Sequence, residues 1–390
     1  MNRGRLPFPT FDLRQPHAHR ALVGALAVVL VLFGFDVIQY ATLVIKTPWQ
    51  LDFSDFYFAA RTGLTHGWGQ MYNTALSMPA LYAATGNWFP FQHTPVFAWL
   101  LAPLSLLPYP IALTVWEGFL IGCFLLCWRL LAPGSAGRRL ILLAAGLALY
   151  PVALGLALGQ PTFVVLAGVS LSCWLLHRDR PLLAAAALAL IAVKPQASFL
   201  VPVALLFAGR VRVFAYWTLF TMALAGLSVL ALGFQGLHDW QHAIAIAYQL
   251  PGIRFNSAGS VIGAGPLATA VNVTAAGVAL LIARLAAREG SELPIAAGLS
   301  GSVLATPYLS VHDLSALLIA AWLILRLDPP GWLKALMVVA YLPFFFANAL
   351  FMHGPFLLLE CAWLVALLAF AINRRHGGAL AAARRTDIAA

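Results

Sequence analysis

Two carboxylates stand three residues apart in the stretch QLDFSDFYFAAR, residues 50–61, of a 390-residue chain that holds only 13 Asp and Glu residues. If the stretch is helical, Asp52 and Asp55 lie on one face, and if it is extended they point to opposite faces. In a structural interpretation, Asp52 caps the amino end of an amphipathic helix. In a chemical interpretation, a carboxylate in a partly apolar cavity has a raised pKa and accepts a proton from a hydroxyl as a general base. The two are compatible, because one acid can cap while the other reacts.

A lysine at the end of an apolar segment is the second candidate. Lys194 follows the apolar segment 181–193 and precedes a proline in the motif KPQ. In one interpretation its ammonium snorkels to lipid headgroups. In the other it binds a phosphate as a point charge. The proline fixes the lysine at a helix break, which favours the second interpretation, and we assign Gln196 of the same motif to the same site.

A histidine and an aspartate follow each other in TPYLSVHD, residues 306–313. His312 and Asp313 could bind a phosphate, orient a base or serve only as structural groups at a helix break. Consecutive residues rarely converge on one point, so we do not predict a metal site there. Asp52 and Asp55 together offer too few oxygen ligands to argue for a divalent cation, although such an ion stays possible. We therefore predict no cofactor.

The composition defines the elements that must position these groups. The chain is 62% hydrophobic and 9% charged, whereas soluble domains carry about 25% charged residues. Its long apolar runs are typical of membrane-spanning helices, which need about 20 residues each. We predict an all-α polytopic membrane protein, with a single transmembrane domain over residues 21–373 between a basic N-terminus (1–20) and a basic tail (374–390).

The distribution of basic residues predicts the topology. Twelve spans with both termini cytoplasmic place 19 of the 23 Lys and Arg residues inside, as the positive-inside rule requires. This arrangement also accounts for the net charge of +10 without a nucleic-acid partner. It leaves two large extracytoplasmic loops, 46–110 and 235–260. The apolar segment 93–107 is then an interfacial helix rather than a span, since counting it as a span would invert every later loop.

Several predicted spans are short and end outside at GQ (159–160), KPQ (194–196) and TPYLSVHD (306–313). Irregular backbone at membrane depth is tolerated where it is buried in protein or lines a wet cavity. The outer half of the protein is therefore expected to contain a cavity.

Five segments in chain order resemble glycosyltransferase family 87, a family of membrane mannosyltransferase-like proteins with the GT-C fold. LDFSDFYFAARTGLTHGWGQMYN resembles its opening DF…AA…L…G…Y pattern, and FQHTPVFAWLLAPLSLLP resembles a stretch with a proline pair and LL.PL..LP. ALGQPTFVVLAG, LALIAVKPQASFLVPVALLFAGR and LATPYLSVHDLSALL are similar to its GQ, KPQ and TPY…YD segments. The resemblance covers residues 50–315, and KPQ with its surroundings is its most specific part.

The resemblance implies a GT-C-type bundle and a reaction. A sugar, mannose by family default, passes from a polyprenyl-phosphate donor to a hydroxyl of a glycolipid or glycan acceptor, with inversion. This transfer takes place on the outer face of the bacterial inner membrane, among membrane lipids. The family's DF motif falls on Asp52, which takes the role of base, whereas Asp55 stands where relatives have a small or polar residue. The remaining assignments are donor-phosphate or lipid binding (Lys194, Gln196, His312, Asp313, Arg254) and the substrate cavity (Tyr57, Arg61, His93, Gln160, Tyr308).

A transporter or lipid-linked-sugar flippase without catalysis is the alternative function. Twelve spans with basic inner loops fit that class equally well. A flippase should line its pathway with charge deep inside the spans. This chain instead places its ionisable candidates at the outer rim and in the outer loops, which favours the transferase.

Overall fold

In a computed structural model, the chain is described over residues 52–86, 89–249, 257–287, 289–345 and 353–389, with isolated positions between 24 and 42. Within these ranges every regular element is helical. The helices are α1 (Asp52–His66), α2 (Thr74–Thr85), α3 (Pro95–Leu101), α4 (Tyr109–Leu131), α5 (Ala136–Leu147), α6 (Tyr150–Ala157), α7 (Thr162–Leu176), α8 (Pro181–Leu188), α9 (Leu200–Phe207), α10 (Val211–Gln249), α11 (Ala258–Ile262), α12 (Pro266–Leu285), α13 (Glu292–Ala305), α14 (Ser315–Leu325), α15 (Gly331–Phe345) and α16 (His353–Ala389).

Four of the described helices are long and apolar enough to cross a membrane: α4, α10, α12 and α16. Helices α5 and α6, bent by 65° at a short break, make a fifth span if they are counted together. The other apolar helices are shorter, because residues such as those of KPQ interrupt them. The all-α membrane fold is confirmed, whereas the count of twelve spans stays a prediction, and the predicted first span (21–45) lies almost entirely outside the described residues.

The segment 93–107 forms helix α3 and one 3₁₀ turn, Leu104–Leu106. A helix of seven residues is about 10 Å long and cannot cross about 30 Å of hydrocarbon. The segment is therefore not a span.

Helix α13 lies at the centre of the bundle, and every residue from Glu292 to Leu304 is buried. Small residues allow this close packing. A Cβ atom on Gly298 would lie 2.7 Å from the Cα atom of Val201 in α9, and one on Gly301 would lie 2.4 Å from the Cβ atom of Ala279 in α12. The central helix thus fixes the start of the loop that leads to His312 and Asp313.

Helix α10 changes direction at Gly233, where φ is 62° and ψ is −176°. This left-handed φ favours glycine. Beyond the kink, a Cβ atom on Gly236 would lie 2.8 Å from the carbonyl oxygen of Gly69, so the helix packs closely on the chain there. The kinked half carries Trp240, whose Nε1 donates to the carbonyl oxygen of Gln92 at 3.0 Å.

Candidate active site

Helix α1 begins against the turn between α6 and α7. The backbone N–H of Phe53 donates to the carbonyl oxygen of Leu158 at 3.2 Å. The Nε1 of Trp116 in α4 donates to the carbonyl oxygen of Gly159 at 2.8 Å. Gly159 has a φ of 71°, and a Cβ atom there would lie 2.9 Å from the Cβ atom of Phe53. This close approach holds the first turn of α1 beside Gln160.

The side chain of Gln160 joins two candidate residues that are far apart in sequence. Its Nε2 donates to Oδ2 of Asp52, and its Oε1 accepts from Nζ of Lys194 at 2.8 Å. The ammonium carries only donors, so it requires the amide oxygen of Gln160 to face it. The amide nitrogen must then face Asp52, which makes Gln160 a fixed donor to that carboxylate.

Lys194 is almost completely buried, with 1% of its surface exposed. Its ammonium lies 2.6 Å from Oδ1 of Asp313, 3.0 Å from Oγ1 of Thr162 and 2.9 Å from Nε2 of His312. With Gln160, four acceptors surround three N–H groups. The ammonium can therefore exchange one neutral acceptor for a ligand oxygen without losing its bond to Asp313.

Asp313 is completely buried, and its position is fixed from three sides. Its Oδ1 accepts from Oγ1 of Thr162 at 2.9 Å. Its Oδ2 accepts from the backbone N–H of Ser310 at 3.3 Å, completing a capping box on the turn Val311–Leu314. Asp313 thus acts as the buried counter-ion of Lys194 and also fixes the turn that carries His312.

Asp52, Gln160 and Lys194 line one cavity of about 300 Å³, and Asp313 contacts the ammonium of Lys194 without lining the cavity. Both carboxylates of α1 line it, so the helical interpretation of the DFSD stretch, with both acids on one face, is correct. Pockets that hold small ligands have volumes of about 300–1,000 Å³. Its lining residues include Asp52, Asp55, Phe56, Gln92, His93, Gln160, Lys194, Tyr308 and His312.

The environment separates the two carboxyl groups of α1. Burial raises the pKa of Asp52, while the hydrogen bond from Gln160 and the charge of Lys194 oppose that rise. Burial raises the pKa of Asp55 well above its usual range, and the negative charge of Asp52 raises it further. The pKa of Asp55 is thus raised more strongly than that of Asp52, which makes Asp52 the more easily ionised of the two. Two carboxyls whose pKa values are driven apart are typical of acid–base sites.

His93 contributes a neutral ring to the cavity. Its imidazole makes edge contacts with Phe56, at 4.9 Å between centroids, and with Phe97, at 5.4 Å. Burial, together with the charge of Lys194, lowers the pKa of His93 to about 3. The imidazole is therefore uncharged at neutral pH and can donate or accept a hydrogen bond without adding charge.

Some predicted residues do not meet at this cavity. The hydroxyl of Tyr57 donates to the carbonyl oxygen of Leu107 at 2.7 Å, and Arg61 donates to that hydroxyl at 3.1 Å. Neither Tyr57 nor Arg61 is among the lining residues, and their assignment to the substrate cavity stays a prediction. Gln196 lines a neighbouring cavity instead. Arg254 lies outside the described residues.

Sequence reasoning missed two contributors. Thr162, which follows the GQ motif directly in the GQPT segment, bridges Lys194 and Asp313. Gln92 donates to the hydroxyl of Tyr308 at 3.0 Å, and nothing in the sequence pattern singles it out. Both are neutral residues, which a search for ionisable groups passes over.

The fold and the cavity together define a helical membrane protein with a buried acid–lysine site. The profile of glycosyltransferase family 87 matches residues 91–327, more than half of the chain. The chain belongs to this family, and it is accordingly a membrane glycosyltransferase that uses a sugar donor and an acceptor. No curated protein and no solved structure gives a significant match. The family match begins after α1, so the assignment of Asp52 does not rest on it.

Proposed function

We propose that the protein transfers a sugar, with mannose as the first candidate, from a polyprenyl-phosphate donor to a hydroxyl of a glycan or glycolipid. The reaction takes place on the extracytoplasmic face of the bacterial inner membrane, with both chain termini cytoplasmic. The observation that supports it is the continuous set of contacts from Asp52 through Gln160 to Lys194 at one cavity, with Asp313 as the counter-ion of the lysine. This arrangement puts a proton acceptor and a cation within one small site.

The chemistry is a single displacement at the anomeric carbon. The acceptor oxygen forms a bond to that carbon while the bond from the carbon to the phosphate oxygen breaks, and the electron pair leaves with the phosphate. Asp52 takes the proton of the acceptor hydroxyl. Attack from the side opposite the leaving group inverts the configuration.

The leaving phosphate needs positive charge or hydrogen-bond donors. Among the described residues, Lys194 is the only Lys or Arg that lines the cavity. Its ammonium can exchange a neutral acceptor for a phosphate oxygen, and His312, 2.9 Å from Nζ, lies where it can contact the same group. Asp313 stays in place as the counter-ion, so the bound phosphate sees a cation whose position is fixed.

The test is sugar transfer by the full chain in liposomes, with a polyprenyl-phosphate mannose donor and octyl α-D-mannopyranoside as acceptor. Asp52→Asn keeps the shape of the side chain but removes the base, and we expect kcat to fall by about 10²- to 10⁴-fold. Asp55→Asn replaces the acid whose pKa burial raises more strongly, and we expect less than about a tenfold loss, since an amide can replace a protonated carboxyl as donor.

Asp328→Asn is the matched control, because this carboxylate is 92% exposed and forms a surface ion pair with Lys334. Full activity of Asp52→Asn would refute the assignment of the base. Loss confined to Asp55→Asn would assign the base to Asp55. Inactivity of the wild-type protein with every polyprenyl-phosphate sugar tried, accompanied by movement of labelled lipid across the bilayer, would favour the transporter class instead.

A further inference from the structure

A second cavity of about 350 Å³ adjoins the first and has no part in the chemistry described so far. It shares Gln92, His93 and Tyr308 with the first cavity. Gln196, Trp240 and Ile244 are among the residues that line the second cavity and not the first. The remaining lining residues are Thr94, Pro195, Thr306 and Pro307. The KPQ motif therefore faces both cavities, with Lys194 on one side and Gln196 on the other.

The partition between the cavities is made of side chains. Nε2 of Gln92 donates to the hydroxyl of Tyr308 at 3.0 Å. Next to this contact, Nε1 of Trp240 donates a hydrogen bond to the backbone carbonyl oxygen of Gln92 at 3.0 Å. A single neutral hydrogen bond contributes only about 0.5–1.5 kcal/mol to stability. A ligand hydroxyl can replace it with bonds of equal strength, because both Gln92 and Tyr308 can donate and accept.

The two cavities differ in charge. The first holds Asp52 and Lys194, whereas among the residues that the structure describes no Lys, Arg, Asp or Glu lines the second. The one imidazole that they share, His93, is neutral because burial lowers its pKa to about 3. A charged phosphate would lose its solvation in the second cavity without gaining a cation, which costs free energy. A ligand that carries hydroxyl groups and no charge would not have this desolvation cost.

The side chains of the second cavity suit such a ligand. Gln196 is half-buried there, and its amide can donate to one hydroxyl and accept from another. Trp240 offers a large, rigid, apolar ring, with its plane set by stacking on Tyr72 at 5.6 Å and 20°. A pyranose has both hydroxyl groups, which amides can hydrogen-bond, and C–H faces, which can pack on an indole ring.

We propose that the second cavity binds an uncharged sugar unit of the acceptor glycan, whose reacting hydroxyl reaches Asp52 between Gln92 and Tyr308. This inference rests on the proposed function and adds the acceptor site to it. The donor phosphate then occupies the first cavity beside Lys194, and the two substrates meet at the partition. Gln196, Trp240 and Ile244 become residues that determine acceptor specificity.

The kinetic test uses the liposome assay with the donor and acceptor named above. Ile244→Trp fills the cavity from a partly exposed position, and we expect the KM for octyl α-D-mannopyranoside to rise at least tenfold relative to the KM for the donor. Gln196→Ala removes one amide without adding bulk, and the acceptor KM should rise about three- to tenfold. The matched control is Leu230→Trp, on the same helix but 80% exposed, which should leave both KM values unchanged.

A second measurement does not depend on transfer. Saturation-transfer NMR on Asp52→Asn protein, with the methyl glycosides of mannose, glucose, galactose and arabinose, should give a signal for at least one sugar. That signal should disappear in the Asp52→Asn/Ile244→Trp double variant and persist in Asp52→Asn/Leu230→Trp. Binding without any transfer by the wild-type protein would refute the proposed function while leaving the sugar site in place.

Three results would overturn the acceptor site. The donor KM could rise as much as the acceptor KM in Ile244→Trp, which would assign the cavity to the donor. The acceptor KM could stay unchanged in both Ile244→Trp and Gln196→Ala. Lastly, all four methyl glycosides could fail to give a signal that depends on Ile244.

Discussion

Replacing Gln160 by leucine tests whether the amide tunes the base. The side chain is 4% exposed, and leucine keeps most of its volume. The change removes the hydrogen bond to Asp52 and one acceptor of Lys194. The ammonium has three N–H groups and keeps three acceptors, Asp313, Thr162 and His312, so it is not left unsatisfied. The effect therefore falls on Asp52.

The sign and size of the pKa change depend on which protonation state of Asp52 the hydrogen bond from Gln160 stabilises. The amide donates to the ionised carboxylate and so lowers the pKa of Asp52, and its loss must raise that pKa. A hydrogen bond to a charged group contributes about 1.5–3 kcal/mol, and about 1.4 kcal/mol corresponds to a factor of ten. At acidic pH, where Asp52 is mostly protonated, kcat/KM should thus fall about 10- to 100-fold, and it should recover as the pH rises.

The assay is the pH profile of kcat/KM for sugar transfer in liposomes, over the range in which the protein stays folded. The acid limb of the profile should move to higher pH in Gln160→Leu. Thr162→Val is the control, since it removes another acceptor of Lys194 without touching Asp52, and its limb should stay in place. An acid limb that stays fixed in Gln160→Leu, or an equal loss at every pH, would refute the role of the amide.

Two further predictions concern the framework of the site. Lys194→Met leaves the buried carboxylate of Asp313 without its counter-ion and should cost about 3–5 kcal/mol of unfolding free energy. The Lys194→Met/Asp313→Leu double variant should recover most of that loss. Additive losses in the double variant would contradict the pairing. Gly159→Ala requires a strained φ and a Cβ atom 2.9 Å from that of Phe53, so it should cost about 1–3 kcal/mol and reduce transfer. Its control, Gly137→Ala, meets nothing within 4 Å; equal unfolding free energies in denaturant titrations of the two variants would refute the close approach.

The local parts of the site could be predicted from the sequence. The spacing of Asp52 and Asp55 specifies one face of a helix, and the structure places both at one cavity. Lys194 beside a proline and the His312–Asp313 pair after TPY stand out because charged residues are rare in this chain. Rare charges at helix breaks are a strong signal in a membrane protein.

The contacts that join these parts could not be predicted in the same way. Gln160 meets Asp52 across 108 residues, and Gln92 meets Tyr308 across 216. Such pairings depend on how the helices pack, and neutral side chains do not stand out when a site is predicted from the positions of charged residues. The hydroxyl of Tyr57 donates to the carbonyl oxygen of Leu107, a contact across 50 residues that its position beside the acids does not indicate.

The pair between Lys194 and Asp313 also has a consequence for how the protein is made. The two residues are separated by about 120 residues of chain. At a synthesis rate of about 5–20 residues per second, Asp313 emerges roughly 6 to 24 s after Lys194. During that interval Asp313 cannot act as the counter-ion of the ammonium, so the contact between the two residues can form only after residue 313 is made. A truncated product that ends before residue 313 retains this unpaired charge, and its incomplete fold is exposed to cellular proteases.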